Sequence, residues 1–307
     1  MDNHTQDQYF YICLFTDSPA KRPFCFVVFL LIYTIVLIGN LLLISATIFD
    51  SHLQTPMYYF LRNLSFVDIC FTSVTLPKLM DIFLTGINAV PFGLCFTQLL
   101  FFGSIVTTEI LLLTSMAYDR YVAICNPLCY FLVMSNRRNN VLVLSSWITG
   151  ILHALPVVTL ISQLPFCGSK EIHQLFCDVK SLLQNSCGDL RKFQIILCFE
   201  VLSFGVVPFV LCLASYAKII SKVLKIKSPQ GRMKTFSTCT AHLTVLLLFY
   251  GTIICMYIKP LSDHSVIQDQ LSTFLYLVVT PMLNPLIYSL RNQEVKNALK
   301  RMFNWLM

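Results

Sequence analysis

Residues 97–121 read TQLLFFGSIVTTEILLLTSMAYDRY, an apolar run from 97 to 118 that ends on the acid–base pair Asp119-Arg120. A bilayer core of about 30 Å needs roughly 20 residues of helix, so this run is long enough to cross one. A helix turns once per 3.6 residues and rises 1.5 Å per residue. Phe102, Val106, Glu109 and Arg120 therefore stand near one face, and Phe102 and Arg120 are five turns and about 27 Å apart. One face of one helix joins the outer half of a bundle to its cytoplasmic rim, which suits an element that couples two ends.

Working outward, comparable runs occupy 24–48, 57–80, 141–162, 194–217, 240–258 and 270–290, giving seven spans. The composition agrees: 56% apolar and 12% charged residues lie far from the soluble average of roughly 45–50% and 25%. Barrel strands would alternate in short segments, whereas these runs are continuous, so helices satisfy the backbone in lipid. The expected fold is an all-α membrane protein, a seven-transmembrane helix bundle in one domain over 1–307. Residues 1–23 form an extracellular tail. The final stretch, 291–307, sets Val295, Leu299, Met302, Phe303 and Leu306 at helical spacing among Lys296, Lys300 and Arg301. It reads as a short amphipathic C-terminal helix on the inner membrane surface.

Orientation follows from the basic residues. With the N-terminus outside, 14 of the 22 Lys and Arg fall on the cytoplasmic side, as the positive-inside rule asks. Lys21 and Arg22, just before the first span, run against it. The first 20 residues lack a basic start followed by an apolar region, so no cleavable signal peptide is expected and the first span does the targeting. Five of the 13 cysteines fall outside, where disulfides persist. Cys95, Cys167, Cys177 and Cys187 permit three pairings, and Cys13 is the odd one of the five. Asn3-His4-Thr5 is a glycosylation acceptor on the outer tail. Loops are short except 163–193, a length that is usually functional.

Ionisable groups at membrane depth are costly and mark function by default. Asp68 and Glu109 either hold a monovalent cation such as sodium between oxygen ligands or form a protonated or water-satisfied pair. Glu200, about two turns into the fifth span, either faces a ligand cavity or reaches the outer surface. Asp119-Arg120-Tyr121 puts an obligate cation beside an acid, a pair that can break when the bundle opens to a partner, or a cation with only a local countercharge. Asn284-Pro285 with Tyr288 marks a kink in the seventh span.

Gly39-Asn40, Asp68, Asp119-Arg120-Tyr121, Trp147, Pro208 with Tyr216, and Asn284-Pro285-Leu286-Ile287-Tyr288 occur in order, one set per span. This resembles the rhodopsin-like (class A) G-protein-coupled receptor pattern. Longer strings sharpen the likeness. Pro56-Met57-Tyr58-Tyr59-Phe60-Leu61, then Met116-Ala117-Tyr118-Asp119-Arg120-Tyr121-Val122-Ala123-Ile124-Cys125, then Lys234-Thr235-Phe236-Ser237-Thr238-Cys239 with His242, and then Pro281 to Asn292 resemble the vertebrate odorant (olfactory) receptor family over most of the chain.

The resemblance implies a receptor, not an enzyme, whose odorant cavity maps onto Phe102, Gly103, Val106 and Thr107, onto Glu200, Val201 and Phe204, and onto Tyr250, Ile253, Ile254 and Tyr257. That lining suits a small, mostly hydrophobic volatile ligand, with Thr107, Glu200 and Tyr257 to orient one polar group. The same resemblance implies Cys95–Cys177 and Cys167–Cys187 disulfides, a sodium ion at Asp68 and Glu109, and no other cofactor. It makes Arg120 the switch, with Asp119, Tyr121, Tyr216, Asn284, Pro285 and Tyr288 around it. The implied partners are the bilayer and a stimulatory, olfactory-type heterotrimeric G protein that raises cAMP, with no nucleic acid. The implied location is the plasma membrane of sensory cilia. One departure stands out: Gln174 takes the place of the histidine in the family's proposed metal-binding triplet, which argues against metal-assisted thiol detection. The runner-up is the same architecture used as a non-olfactory chemosensory receptor. A small-solute transporter would show paired halves or Gly/Pro-broken helices meeting at the midplane. An enzyme would need a constellation that His153 and His242, each isolated in sequence, do not make.

Overall fold

The structure, a computed structural model, describes residues 9–14, 18–188, 190–226, 228–257 and 266–306. Seven long helical segments follow one another. The first four spans are Arg22–Phe49, Pro56–Thr85, Phe92–Cys125 and Asn136–Ser162. The fifth comprises Arg191–Glu200, a π-helical turn Val201–Val206, and Val207–Leu224. The sixth is Pro229–Tyr257. The seventh runs through Val266–Phe274, a second π turn Leu275–Val279, and Thr280–Arg291. Each π turn inserts a residue and re-aims the face that follows, a device common at functional sites.

Lipid decides which residues face out. Along the first span Leu30, Leu31, Ile35, Ile38 and Leu41 are exposed, an apolar surface that water would penalise and a bilayer accepts. Among the described residues five helices are long and apolar enough to cross a membrane, and the sixth span contains a shorter apolar helix, Cys239–Ile254. Pro56–Thr85 is more polar because neighbouring helices, not lipid, cover most of it: Asp68, Thr72 and Thr75 are all buried. Several hydroxyls in the spans donate back to carbonyls four residues earlier, as Thr72 does to Asp68 O at 2.9 Å and Thr108 to Ser104 O at 2.8 Å, which satisfies these donors within their own helices.

The third span lies against the second, fourth, fifth and sixth. Its approach to the fourth requires a glycine, since a Cβ on Gly150 would overlap Ser104 O and Thr108 Oγ1. The first and seventh spans meet where Gly39 faces the Pro285 ring and Asn40 Nδ2 donates to Pro281 O at 3.3 Å.

We call the end that carries the N-terminal tail the outer end. There Tyr9–Ile12 forms strand β1, which pairs antiparallel with β2 (Ala89–Pro91) and parallel with β3 (Glu171–Ile172). Phe10 and Ile12 are buried, with Phe10 stacked on Phe92 at 4.2 Å and edge-on to Phe166 at 5.1 Å. This part of the tail is thus a structural strand, tied further by Gln270 Nε2 donating to Cys13 O at 2.6 Å. Cys95 is bonded to Cys177 and Cys167 to Cys187. Arg22, anomalous by charge, has its guanidinium against Gly86, whose φ of +76° caps the second span in the left-handed region.

At the inner end the helix Gln293–Leu306 buries Val295 and Ala298. Tyr58 donates to Glu294 at 2.7 Å, and Arg301 binds Asp50 through Nε at 2.8 Å and Nη2 at 2.6 Å. Burial pushes the Asp50 carboxyl up, but the His52 amide and the Arg301 guanidinium outweigh it and hold the pKa below the ordinary value.

Candidate functional site

The third span carries functional residues at three depths. Near the outer end Phe102 is buried in an aromatic cluster, 4.5 Å from Phe176, 5.5 Å from Phe71 and 6.2 Å from Tyr276 by ring centroids. Phe249 and Tyr250 extend the cluster, and Phe209 stands 4.7 Å from the Tyr250 ring. Phe176 comes from the long outer loop, where its neighbour Cys177 is fixed twice: by the disulfide, and by its N–H donating to Gln98 Oε1 at 3.0 Å. Gln174, two residues earlier, is buried and accepts from Thr273 on the seventh span at 2.6 Å. The glutamine at this position closes the loop over the bundle by a neutral hydrogen bond.

Just below, Thr107 Oγ1 stands 2.9 Å from His153 Nδ1, and His153 Nε2 stands 3.4 Å from Glu200 Oε1. The third, fourth and fifth spans thus meet in one polar line. The Phe204 ring covers the imidazole, its centroid 4.2 Å away. Glu200 faces inward, with its side chain 15% exposed. Val106 and Ile253 are partly buried against the core, and Gly103 faces Ala154.

Two residues of the expected lining fall elsewhere. Val201 and Ile254 are 55% and 43% exposed, on the outside of the bundle. A helix turns 100° per residue, so a residue directly after an inward-facing one is carried toward lipid. The Tyr257 side chain and Asn3 lie outside the described residues. The two isolated histidines also gain partners: His153 as above, and His242, whose Nδ1 is 2.6 Å from the Tyr216 hydroxyl. His153, Phe176 and Tyr276 are site residues that sequence reading missed. His153 carried a signal, an ionisable group at membrane depth, but its partners come from helices 46 and 47 residues away in either direction.

At mid-depth Asp68 is fully buried and accepts from Asn284 Nδ2 through both oxygens, at 3.2 and 3.0 Å. Glu109 Oε1, Tyr288 Oη, Thr280 Oγ1 and Asn40 Oδ1 are buried polar atoms without a hydrogen-bond partner in the described structure. Buried carboxylate, hydroxyl and amide oxygens are hard donors, of the chemical type that suits a monovalent cation at Asp68 and Glu109. Among the described residues no group of three His, Cys, Asp or Glu could hold a metal.

At the inner end Asp119 is buried and holds Arg120 through Nε at 2.9 Å and Nη2 at 2.5 Å, while Tyr130 donates to its other oxygen at 2.9 Å. Lys218 lies 5.5 Å over the Tyr121 ring. The guanidinium is engaged by its own neighbour, and the acid is held by the connection between the third and fourth spans. Clefts of about 330 and 490 Å³ also open at this rim, the first beside Tyr59, Arg62 and Asn139, the second beside Tyr118 and Arg138. Neither includes a residue of the outer set.

A family model described as olfactory receptor matches residues 29–305. Olfactory receptor 1C1 of Homo sapiens is 48% identical over 287 residues, covering 93% of this chain and 91% of that protein. Olfactory receptor 1E16 of Mus musculus is 45% identical over 285 residues, with coverage of 93% and 91%. The crystal structure of squid rhodopsin superposes with a TM-score of 0.75 at 16% identity, covering 94% of this chain and 82% of that one, which shows the fold. The chain therefore belongs to the olfactory receptor family, multi-pass membrane receptors that take small-molecule ligands and couple to heterotrimeric G proteins rather than catalyse a reaction.

Proposed function

We propose that the protein is an odorant receptor that binds a small, mostly hydrophobic volatile molecule in the outer half of its bundle and activates a stimulatory, olfactory-type G protein, raising cAMP. The observation that carries this reading is the third span. Phe102 and Thr107 stand in an enclosed aromatic and polar region at one end, and Arg120 stands at the other, engaged by an acid that a G protein can displace. Apolar walls with few polar groups are what a small hydrophobic ligand needs. Asp119, Tyr121, Tyr216, Asn284, Pro285 and Tyr288 form the switch region with Arg120. Asp68 and Glu109 hold sodium. The whole chain acts as one receptor domain in the plasma membrane of olfactory cilia, with its N-terminus outside and glycosylated at Asn3.

The test is a cell line carrying a stimulatory olfactory-type G protein, exposed to a broad volatile panel while cAMP is recorded beside a reporter of inhibitory coupling. A rise in cAMP for some panel members supports the reading. Agonists that signal only through the inhibitory reporter overturn the choice of transducer.

A further inference from the structure

Glu200 and His153 pose a problem of donors and acceptors. Thr107 Oγ1 has one proton, which we assign to Gly103 O at 3.0 Å. Toward His153 Nδ1, at 2.9 Å, the hydroxyl is then an acceptor, so the ring proton sits on Nδ1. In a neutral imidazole that leaves Nε2 as a lone-pair acceptor. This nitrogen faces Glu200 Oε1 at 3.4 Å and has no hydrogen-bond partner. Two acceptors confront each other across a gap in an enclosed site, their side chains 16% and 15% exposed. Among the described residues no lysine or arginine lies within ion-pair distance of Glu200. Buried groups left this way are costly.

The fold nonetheless turns the carboxylate inward. Phe199, Val201 and Leu202 around it are 67%, 55% and 52% exposed, and the π turn begins one residue later at Val201.

Resting on the odorant-receptor reading above, we propose that Glu200 and His153 together read the ligand's polar group, and that this group is a protonated amine. An ammonium has up to three N–H donors and a positive charge. It gives one hydrogen bond to the Glu200 carboxylate and one to His153 Nε2, bridging the two acceptors and neutralising the site. The Phe204 face beside the imidazole adds a favourable surface for a cation. An alcohol has one donor and no charge, so it satisfies half the site. A carboxylate ligand brings a third acceptor and is repelled. His153 is a specificity residue on the fourth span, and Thr107 positions it by fixing its tautomer.

The experiment uses the full receptor in cells with cAMP readout and measured surface levels. Primary amine, alcohol and carboxylic acid are compared on each of several shared carbon skeletons of five to eight atoms. The amine is expected to be more potent than its alcohol by at least about tenfold, the scale of one charge-assisted hydrogen bond. Glu200→Gln should narrow that preference, lowering amine potency by a larger factor than alcohol potency, and Glu200→Asp should restore part of it. His153→Phe should also narrow the amine-to-alcohol ratio, which a merely structural role would not do. Amine-to-alcohol ratios unchanged in Glu200→Gln, or acids and alcohols that outperform amines, would overturn the amine assignment and leave the receptor intact. So would silence to all matched amines while other volatiles raise cAMP. Silence to every volatile at normal surface levels would instead overturn the odorant-receptor reading.

Discussion

Asn284 on the seventh span donates to both carboxylate oxygens of Asp68 on the second, and with Asn40 donating to Pro281 O it joins three spans by polar contacts at one depth. The neighbouring Glu109 Oε1 lacks a partner. Such a core is rigid when satisfied and costly when not, so whatever completes it stabilises the bundle.

If sodium completes it, replacing choline chloride by sodium chloride at constant ionic strength should raise the thermal midpoint of the purified receptor. Asp68→Asn should abolish the difference between the two salts. A ligand at a hundred times its Kd contributes about 2.7 kcal/mol, worth several degrees. An equal response to sodium in wild type and Asp68→Asn would remove the cation from this site.

The N-terminal strand makes a second prediction. Phe10 is fully buried between Phe92 and Phe166, while its neighbour Tyr9 is 37% exposed. Phe10→Ala should cost about 3–5 kcal/mol, as deletions of buried aromatic rings do, and show as a large loss of surface receptor and a lower midpoint. Tyr9→Ala should stay within about 0.5 kcal/mol. Equal effects at the two positions would mean that the tail does not pack as described.

Asp178 gives a pH dependence. It caps the short outer helix Val179–Gln184, with Oδ1 accepting from Ser181 N at 3.0 Å and Oδ2 unpartnered. Burial raises its pKa, against the Ser181 hydrogen bonds and the Lys180 charge, which lower it. A folded pKa above the unfolded value of about 3.9 means that its contribution to stability is fully present below that value and is lost as pH rises through the folded one. Asp178→Asn keeps the capping acceptor and does not titrate. The midpoint of wild type minus that of Asp178→Asn should therefore increase as pH is lowered from 7 toward 4. A difference independent of pH would contradict the burial.

The seven-span order and the inner Arg120 were legible because continuous apolar runs and one-sided basic residues are local signals. Which residues of the expected lining face into the bundle was legible in part. Phe102, Thr107 and Tyr250 are buried in the bundle and Glu200 turns inward, but Val201 and Ile254 follow inward-facing positions by one residue and point to lipid. The π turns at Val201–Val206 and Leu275–Val279 leave no mark in a 3.6-residue pattern. Strand β1 is four residues, Tyr9–Ile12, whose partners lie about 80 and 160 residues away. Too short to show a period, it reads in sequence only as an apolar cluster in a polar tail. His153 likewise acquires meaning only when packing brings Thr107 and Glu200 to it.

The most direct test of the central claim, that the third span links an outer ligand region to a G protein at Arg120, is an agonist dose–response in cAMP for wild type and Arg120→Ala at matched surface expression. A ligand-dependent rise is expected in the wild type and none in the variant, because the proposed switch requires Arg120 to leave Asp119 for the partner. A normal cAMP response from Arg120→Ala would contradict it.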